Sequence, residues 1–311
     1  MSLDPQIAEL LSALNDGFPR VETMTAPQLR AVIRERAQLL QHPGRVGEVR
    51  DRTVPGPAGD INVRIYWPTE GSGSPPIVVF AHGGGFVFCD LDSHDDLCRA
   101  MTNGVGAVVV SVDYRLAPEF PWPAAVDDVF AVTEWAARQA GELGGDPARL
   151  LVAGDSAGGN LAAVTALLAR DRGQPAIAGQ LLIYPAMAAD FGTESYRRFG
   201  TGYYNTATAM AWYWDQYVPN PADRGHPTAS PLQAALTGLP PAVVITAGHD
   251  PLCSEGDAYA KALSDSAVTT ISRQYAGAIH GFMTMSGLDI CNRARQQAWA
   301  DVSTLLSRSS E

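Results

Sequence analysis

Hydrophobic patterning divides the chain into two regimes near residue 77. Before it, IAELLSAL (7–14) and PQLRAVIRERAQLL (27–40) space their apolar residues three and four apart, the period of an amphipathic helix, and Thr25 stands at an N-cap position. INVRIY (61–66) instead alternates Ile61, Val63 and Ile65 with Asn62, Arg64 and Tyr66, predicting a half-exposed strand at an antiparallel edge. From residue 77 onward, short continuous apolar runs take over: IVVFA (77–81), AVVVSV (107–112), LLVAG (150–154), LLIY (181–184) and VVITAG (243–248). Helix-like segments intervene near 93–103, 124–138, 157–170 and 254–265. A last strand is expected at 270–275 and a closing amphipathic helix at 289–307. Strands apolar on both faces belong to a parallel sheet covered by helices on both sides. The pattern predicts a doubly wound α/β fold whose ligands sit at the C-terminal ends of its strands.

One stretch breaks the alternation. Residues 185–242 far exceed an ordinary crossover, and YRRFGTGYYNTATAMAWYWDQY (196–217) within them is rich in aromatics. The expectation is a cap insertion at about 188–225. With N-terminal cap helices in 1–48, it would cover a catalytic domain spanning 49–311. At helical spacing Met210, Tyr213, Trp214 and Tyr217 share a face. That stripe packs either as core or, in part, as a substrate-pocket wall, for which Tyr213 and Trp214 are the candidates. GSGSPP (71–76) reads as a turn before a buried strand.

Composition narrows the function. With 311 residues, 46% of them hydrophobic, the chain can bury one large core plus an accessory element. No apolar run approaches the roughly 20 residues of a membrane helix, so no integral membrane association is expected. The start MSLDPQIAEL has neither a basic nor an apolar signal region, which makes the cytoplasm the expected location. A net charge of −11 without a basic cluster argues against nucleic acid. The single lysine, Lys261, excludes a P-loop lysine. Cys89, Cys98, Cys253 and Cys291 lack the spacing of a zinc site or a disulfide framework and read as buried or idle thiols, so no metal is expected. The chain is expected to act as a monomer or homodimer.

Gly154-Asp155-Ser156-Ala157-Gly158 matches GxSxG. Chance supplies roughly 0.2 such matches in a chain of this composition, so context decides. The motif follows LLVA and opens NLAAVTALLAR, a strand-to-helix turn. A nucleophile elbow there forces its serine into a strained conformation, and side chains beside it would clash. His82-Gly83-Gly84-Gly85 directly follows IVVFA. Roughly 0.005 matches arise by chance, and successive glycines let backbone N–H groups approach a ligand. Together these predict Ser156 as a nucleophile, with an oxyanion held by the amides of Gly83, Gly84 and Ala157. His82 itself is expected to be structural. The acid and base should follow in the order Ser, Asp, His. Asp250 lies just past VVITAG, and His280 follows the last predicted strand. His249 adjoins the acid in sequence, and Glu255 and Asp257 fall inside the next predicted helix, so these rivals fit less well. His42 and His226 read as loop residues, and His94 as a helix residue near the glycine turn. Such a triad needs no cofactor: His280 takes the Ser156 proton, while Asp250 holds the imidazole tautomer.

These motifs resemble those of the bacterial hormone-sensitive-lipase-like carboxylesterases. The likeness runs from about 77 to 283 through HGGGF (82–86), DYRLAPEFPWPAA (113–125), GDSAGGN (154–160), YP (184–185), SPL (230–232), DPL (250–252) and HGF (280–282). It implies an α/β-hydrolase fold with a mostly parallel central sheet, helices on both faces and a helical cap. It also implies hydrolysis of small-molecule esters with short to medium acyl chains. Ser156, Asp250 and His280 match the family triad, and Gly83, Gly84 and Ala157 its oxyanion hole. Where the family often carries a charged pair after DPL, this chain has Cys253-Ser254, implying a changed link near the acid. Two other readings remain open: an amidase or deacetylase using the same triad, and a ligand-binding relative without chemistry.

Overall fold

Alternate residues of each central apolar run face opposite sides of one sheet, and both sides are covered. The computed structural model describes residues 2–37, 44–69 and 73–308. Its strands are β1 (Glu48–Gly56), β2 (Gly59–Trp67), β3 (Ile77–Ala81), β4 (Val108–Asp113), β5 (Leu150–Asp155), β6 (Gly179–Ile183), β7 (Ala242–His249) and β8 (Thr270–Ile279). They form one sheet in the order β1-β2-β4-β3-β5-β6-β7-β8. The pairs from β4 to β8 are parallel, whereas β1–β2 and β2–β4 are antiparallel. The helices are α1 (Pro5–Gly17), α2 (Ala26–Ala37), α3 (Asp95–Val105), α4 (Ala124–Arg138), α5 (Ala140–Leu143), α6 (Ala157–Arg172), α7 (Glu194–Phe199), α8 (Ala207–Tyr217), α9 (Cys253–Asp265) and α10 (Asp289–Arg308).

On one face Val78, Phe80, Val109, Leu151 and Ile183 pack with Leu97 and Met101 of α3 and Ala294 and Trp299 of α10. On the other, Ile77, Val79, Val108 and Val110 pack with Val126 and Val129 of α4 and Leu161 and Val164 of α6. Val152, Leu182 and Val244 continue that face against α6 and α9. Full burial of β3, from Ile77 to Ala81, explains why its sequence shows no alternation.

The half-exposed strand at 61–66 belongs to β2, one place in from the edge. The edge is β1, a strand the sequence hides. Of EVRDRTVPG only Val54 is buried, so no apolar period marks it. Charged side chains on an edge strand also discourage pairing with other chains. The helix expected at 27–40 is present as α2, its residues 38–40 lying outside the described set, as do His42 and residues 71–72. At its start the Gln28 side chain accepts from the Thr25 amide (2.9 Å), half of a capping box. Helix α7, six residues long, was too short for a periodic signal.

The N-terminal segment enters both cores. Ile7 joins the cluster containing Tyr184 and Phe282, whereas Val21 and Leu29 join that of Phe86 and Tyr213. Arg30 ties α2 to the loops above the sheet: Nε donates to the Val87 carbonyl (2.7 Å) and Nη2 to that of Ala117 (2.8 Å). A two-nitrogen grip on Glu119 completes the set. Arg30→Ala is expected to lower the unfolding free energy by about 1.5–3 kcal/mol, the range for hydrogen bonds to a charged group. The readout is a lower urea midpoint at unchanged slope. Arg30→Lys should recover only part, because an ammonium cannot span a fork of acceptors. An unshifted midpoint would contradict this docking role.

Candidate active site

Four loops at the C-terminal ends of parallel strands converge on one point. Ser156 links β5 to α6 with φ 55° and ψ −117°, a backbone that side-chain-bearing residues rarely adopt. The turn tolerates this because its neighbours are bare. A Cβ on Gly154 would lie 2.2 Å from the Gly158 carbonyl oxygen, and one on Gly158 would lie 1.9 Å from that of Ala81. The Ser156 amide donates to the Ile183 carbonyl (2.8 Å), and its own carbonyl accepts from Ala186 (3.1 Å). The hydroxyl is thereby fixed from both sides of the peptide.

His280 follows β8 and Asp250 follows β7. The imidazole Nε2 lies 2.9 Å from Ser156 Oγ, and Nδ1 lies 2.7 Å from Asp250 Oδ2. Asp250 is fully buried, and its other oxygen accepts from the Leu252 amide (2.9 Å). An ionised carboxylate only accepts, so Nδ1 carries the proton and Nε2 is free to accept from the serine hydroxyl. Tyr184 packs on the ring at 4.9 Å. This arrangement can withdraw the hydroxyl proton and stabilise the imidazolium that results.

The rivals are engaged elsewhere. Glu255 accepts from the Met187 amide (2.8 Å), and burial pushes its carboxyl well above the usual range. Asp257 accepts from Thr246 Oγ1 (2.8 Å) and Gln274 Nε2 (2.7 Å). His249 stacks on Tyr203. In place of a charged pair after DPL, Ser195 and Ser254 exchange amide-to-hydroxyl bonds of 3.1 Å each. Ser195 Oγ also donates to the Pro251 carbonyl (2.6 Å), so hydrogen bonds rather than an ion pair hold the acid's loop to α7.

The glycine turn corrects one expectation. The Gly83 amide is already bound, donating to Asp155 Oδ1 at 2.8 Å, so it is not available to an oxyanion. The amides of Gly84 and Gly85 have no acceptor among the described residues, and both glycines line the cavity beside Ser156. Ala157 opens α6, where first-turn amides lack an intrahelical acceptor. Gly84, Gly85 and Ala157 are therefore the free donors. At φ 106° and 58°, Gly84 and Gly85 adopt backbone that glycine favours.

His94 is a site residue that its helix-like context concealed. It precedes α3, lines the cavity, and sets Nε2 3.1 Å from Asp155 Oδ1. Burial pushes the Asp155 carboxyl up, but His94 and the Gly83 amide outweigh it and hold it below the usual carboxylate range. His82 stacks on Tyr114 at 4.3 Å, and burial, with His94 nearby, lowers its pKa to about 4, so it is neutral near pH 7.

The cavity above Ser156 measures about 170 Å³. Its floor is polar, from Ser93, His94 and Asp155; its apolar wall comes from Phe18, Phe88, Met210 and Tyr213. An engineered cavity of about 150 Å³ accommodates benzene, which sets the scale of group that fits. Of the two predicted pocket residues only Tyr213 reaches it. Trp214 lies on the same helical face but is fully buried, 6.0 Å from Phe86 and 6.0 Å from Tyr217. Phe18 lay in a segment with no signal beyond helical spacing nearby, and only the fold brings it here.

Known proteins of similar sequence and fold are found over most of the chain. A family described by the α/β-hydrolase fold matches residues 78–284. The carboxylic ester hydrolase LipN of Mycobacterium tuberculosis is 42% identical over 91% of this chain and 78% of its own length. The carboxylesterase NlhH of the same species is 41% identical over 91% of this chain and 90% of its own. A hyperthermophilic esterase from Pyrobaculum calidifontis superposes with a TM-score of 0.93 at 41% identity, over 98% of this chain and 99% of that one.

The contrast between the two neighbouring aromatics is testable. Tyr213→Ala should enlarge the cavity and shift preference toward bulkier ligands with a modest loss of stability. Trp214→Ala should cost about 3–5 kcal/mol, as for buried large-to-small changes, and leave preference unchanged among molecules that remain folded. Chain-length profiles and urea midpoints of both variants distinguish these outcomes.

Proposed function

The chain belongs to the hormone-sensitive-lipase-like family of α/β hydrolases, and on that footing we propose that it is a serine carboxylester hydrolase acting on small-molecule esters with short to medium acyl chains. The observation that carries the reading is the unbroken hydrogen-bonded run from Asp250 through His280 to Ser156 at the base of a cavity. In this reading Ser156 Oγ attacks the acyl carbon as His280 Nε2 takes its proton, and Asp250 stabilises the imidazolium. Negative charge developing on the carbonyl oxygen meets the amides of Gly84, Gly85 and Ala157. His280 returns its proton to the departing alcohol. Water then attacks the acyl-enzyme as His280 takes its proton, and His280 passes that proton to Ser156 Oγ as the acyl–oxygen bond breaks and the acid leaves. Every proton is handled by the chain's own groups.

The N-terminal helices α1 and α2 and residues 188–225 serve as a cap. Support comes from Phe18 on one and Met210 and Tyr213 on the other, which form the apolar wall over Ser156. The cavity's size favours short acyl groups, since a filled pocket takes extra methylenes only with strain. Four free cysteines accord with a reducing, cytoplasmic setting.

Ser156→Ala should remain folded and lose ester hydrolysis by about 10³-fold or more. Asp250→Asn should lower kcat strongly, whereas Asp257→Asn should leave it near wild type. Paired assays with a p-nitrophenyl ester and the matching anilide should favour the ester, whose alcohol is the easier leaving group. Wild-type turnover in Ser156→Ala, a crippled Asp257→Asn beside an active Asp250→Asn, or a preference for the anilide would overturn the corresponding part of this reading.

A further inference from the structure

Asp155 sits one residue before Ser156 and is buried. A buried carboxylate is costly unless it is paired and hydrogen-bonded. Its charge also opposes the negative charge that an attacked carbonyl gathers beside Ser156. Two donors meet on Oδ1: the Gly83 amide at 2.8 Å and His94 Nε2 at 3.1 Å. Burial opposes the charge, yet His94 and the Gly83 amide keep this carboxyl below the usual range, so it is ionised near neutral pH and only accepts. The facing ring nitrogen, Nε2, therefore carries a proton and donates.

His94 is held at its other edge as well. Nδ1 lies 3.0 Å from Ser93 Oγ. Ser93 is in turn locked to Asp90: Oγ donates to the Asp90 carbonyl (2.8 Å) and accepts from its amide (2.9 Å), and the Asp90 carboxylate accepts from the Ser93 amide (3.0 Å). The imidazole centroid is 5.6 Å from that of His82 and 6.1 Å from that of Phe80. A ring tied at both nitrogens and packed among other rings has little freedom to swing away, which is what a side chain that orders another must have.

We propose that His94 is a positioning residue for the hydrolysis: by holding Asp155 it fixes the glycine turn, and with it the amides of Gly84 and Gly85 that receive the oxyanion. This rests on the ester-hydrolase reading and deepens it. The same donor draws charge away from Asp155, which lessens the repulsion of the oxyanion. Both effects act on the charge of the transition state and hardly on the neutral ester, so their loss falls on kcat rather than on KM.

The test measures kcat and KM on p-nitrophenyl butyrate for the wild type, His94→Ala, His94→Gln, Asp155→Asn and the double variant His94→Ala/Asp155→Asn. In His94→Ala kcat should fall by about 10–100-fold with KM within about 3-fold of wild type. His94→Gln keeps a nitrogen donor on a side chain of similar reach and should recover about 3–10-fold of that loss. The double variant should be no slower than the slower single variant, because a residue that acts through Asp155 has nothing left to hold. Inhibition by a trifluoromethyl ketone, whose adduct with Ser156 carries the oxyanion, should weaken in step with kcat. If alanine fails to fold, the glutamine variant takes its place in the same comparison. A folded His94 variant with kcat within about 2-fold of wild type, a rise in KM in place of the fall in kcat, an unimpaired Asp155→Asn, or losses that multiply in the double variant would overturn the proposal while leaving ester hydrolysis in place. A wild type inactive on the ester would overturn the hydrolase reading and this proposal together.

Discussion

How closely helix α6 approaches the end of β3 governs the geometry of the site. A Cβ on Gly158 would lie 1.9 Å from the Ala81 carbonyl oxygen, so only a hydrogen there lets helix and strand meet. That contact brings the Ser156 turn against the glycine turn that follows β3. The serine's left-handed backbone is costly in isolation and persists because its amide and carbonyl are both held, by Ile183 and Ala186. Loosening this junction would disturb the hydroxyl and the free amides facing it together, which makes it the constraint that the remaining geometry assumes.

Asp155 is the electrostatic counterpart of that junction. It precedes the serine, accepts from the Gly83 amide and faces His94, so one buried carboxylate fixes the glycine turn to the serine turn. It occupies the first glycine amide, and the next two have no acceptor among the described residues. Preorganised, unbonded donors of this kind stabilise developing charge without reorganising. On the far side of the serine, Asp250 and His280 are ordered by loops whose own support comes from Leu252, Ser195 and Ser254.

What the sequence made legible follows from where the information is local. Buried strands such as β3 and the turn at Ser156 carry their signals in consecutive residues, and the positions of Asp250 and His280 follow from strand ends. Two kinds of feature were hidden. Edge strand β1 is polar and carries no apolar period, and Phe18 and His94 reach the cavity only through long-range folding. The exchange of Gly83 for Gly85 among the free amides depends on one hydrogen bond to Asp155, which no spacing rule encodes. Likewise Tyr213 and Trp214 share a helical face, yet the neighbours Phe86 and Tyr217 decide that only the first meets the cavity.

The proposed chemistry turns on Ser156 carrying the acyl group between two half-reactions. Its most direct test is rapid mixing with p-nitrophenyl acetate, an acid quench within the first turnovers, and peptide mass analysis. One acetyl group per chain is expected on the peptide containing Ser156, at a level that decays as the substrate is exhausted. Acetyl on another residue, or nitrophenol release with no acylated peptide at any time point and a step fast enough to trap, would contradict it.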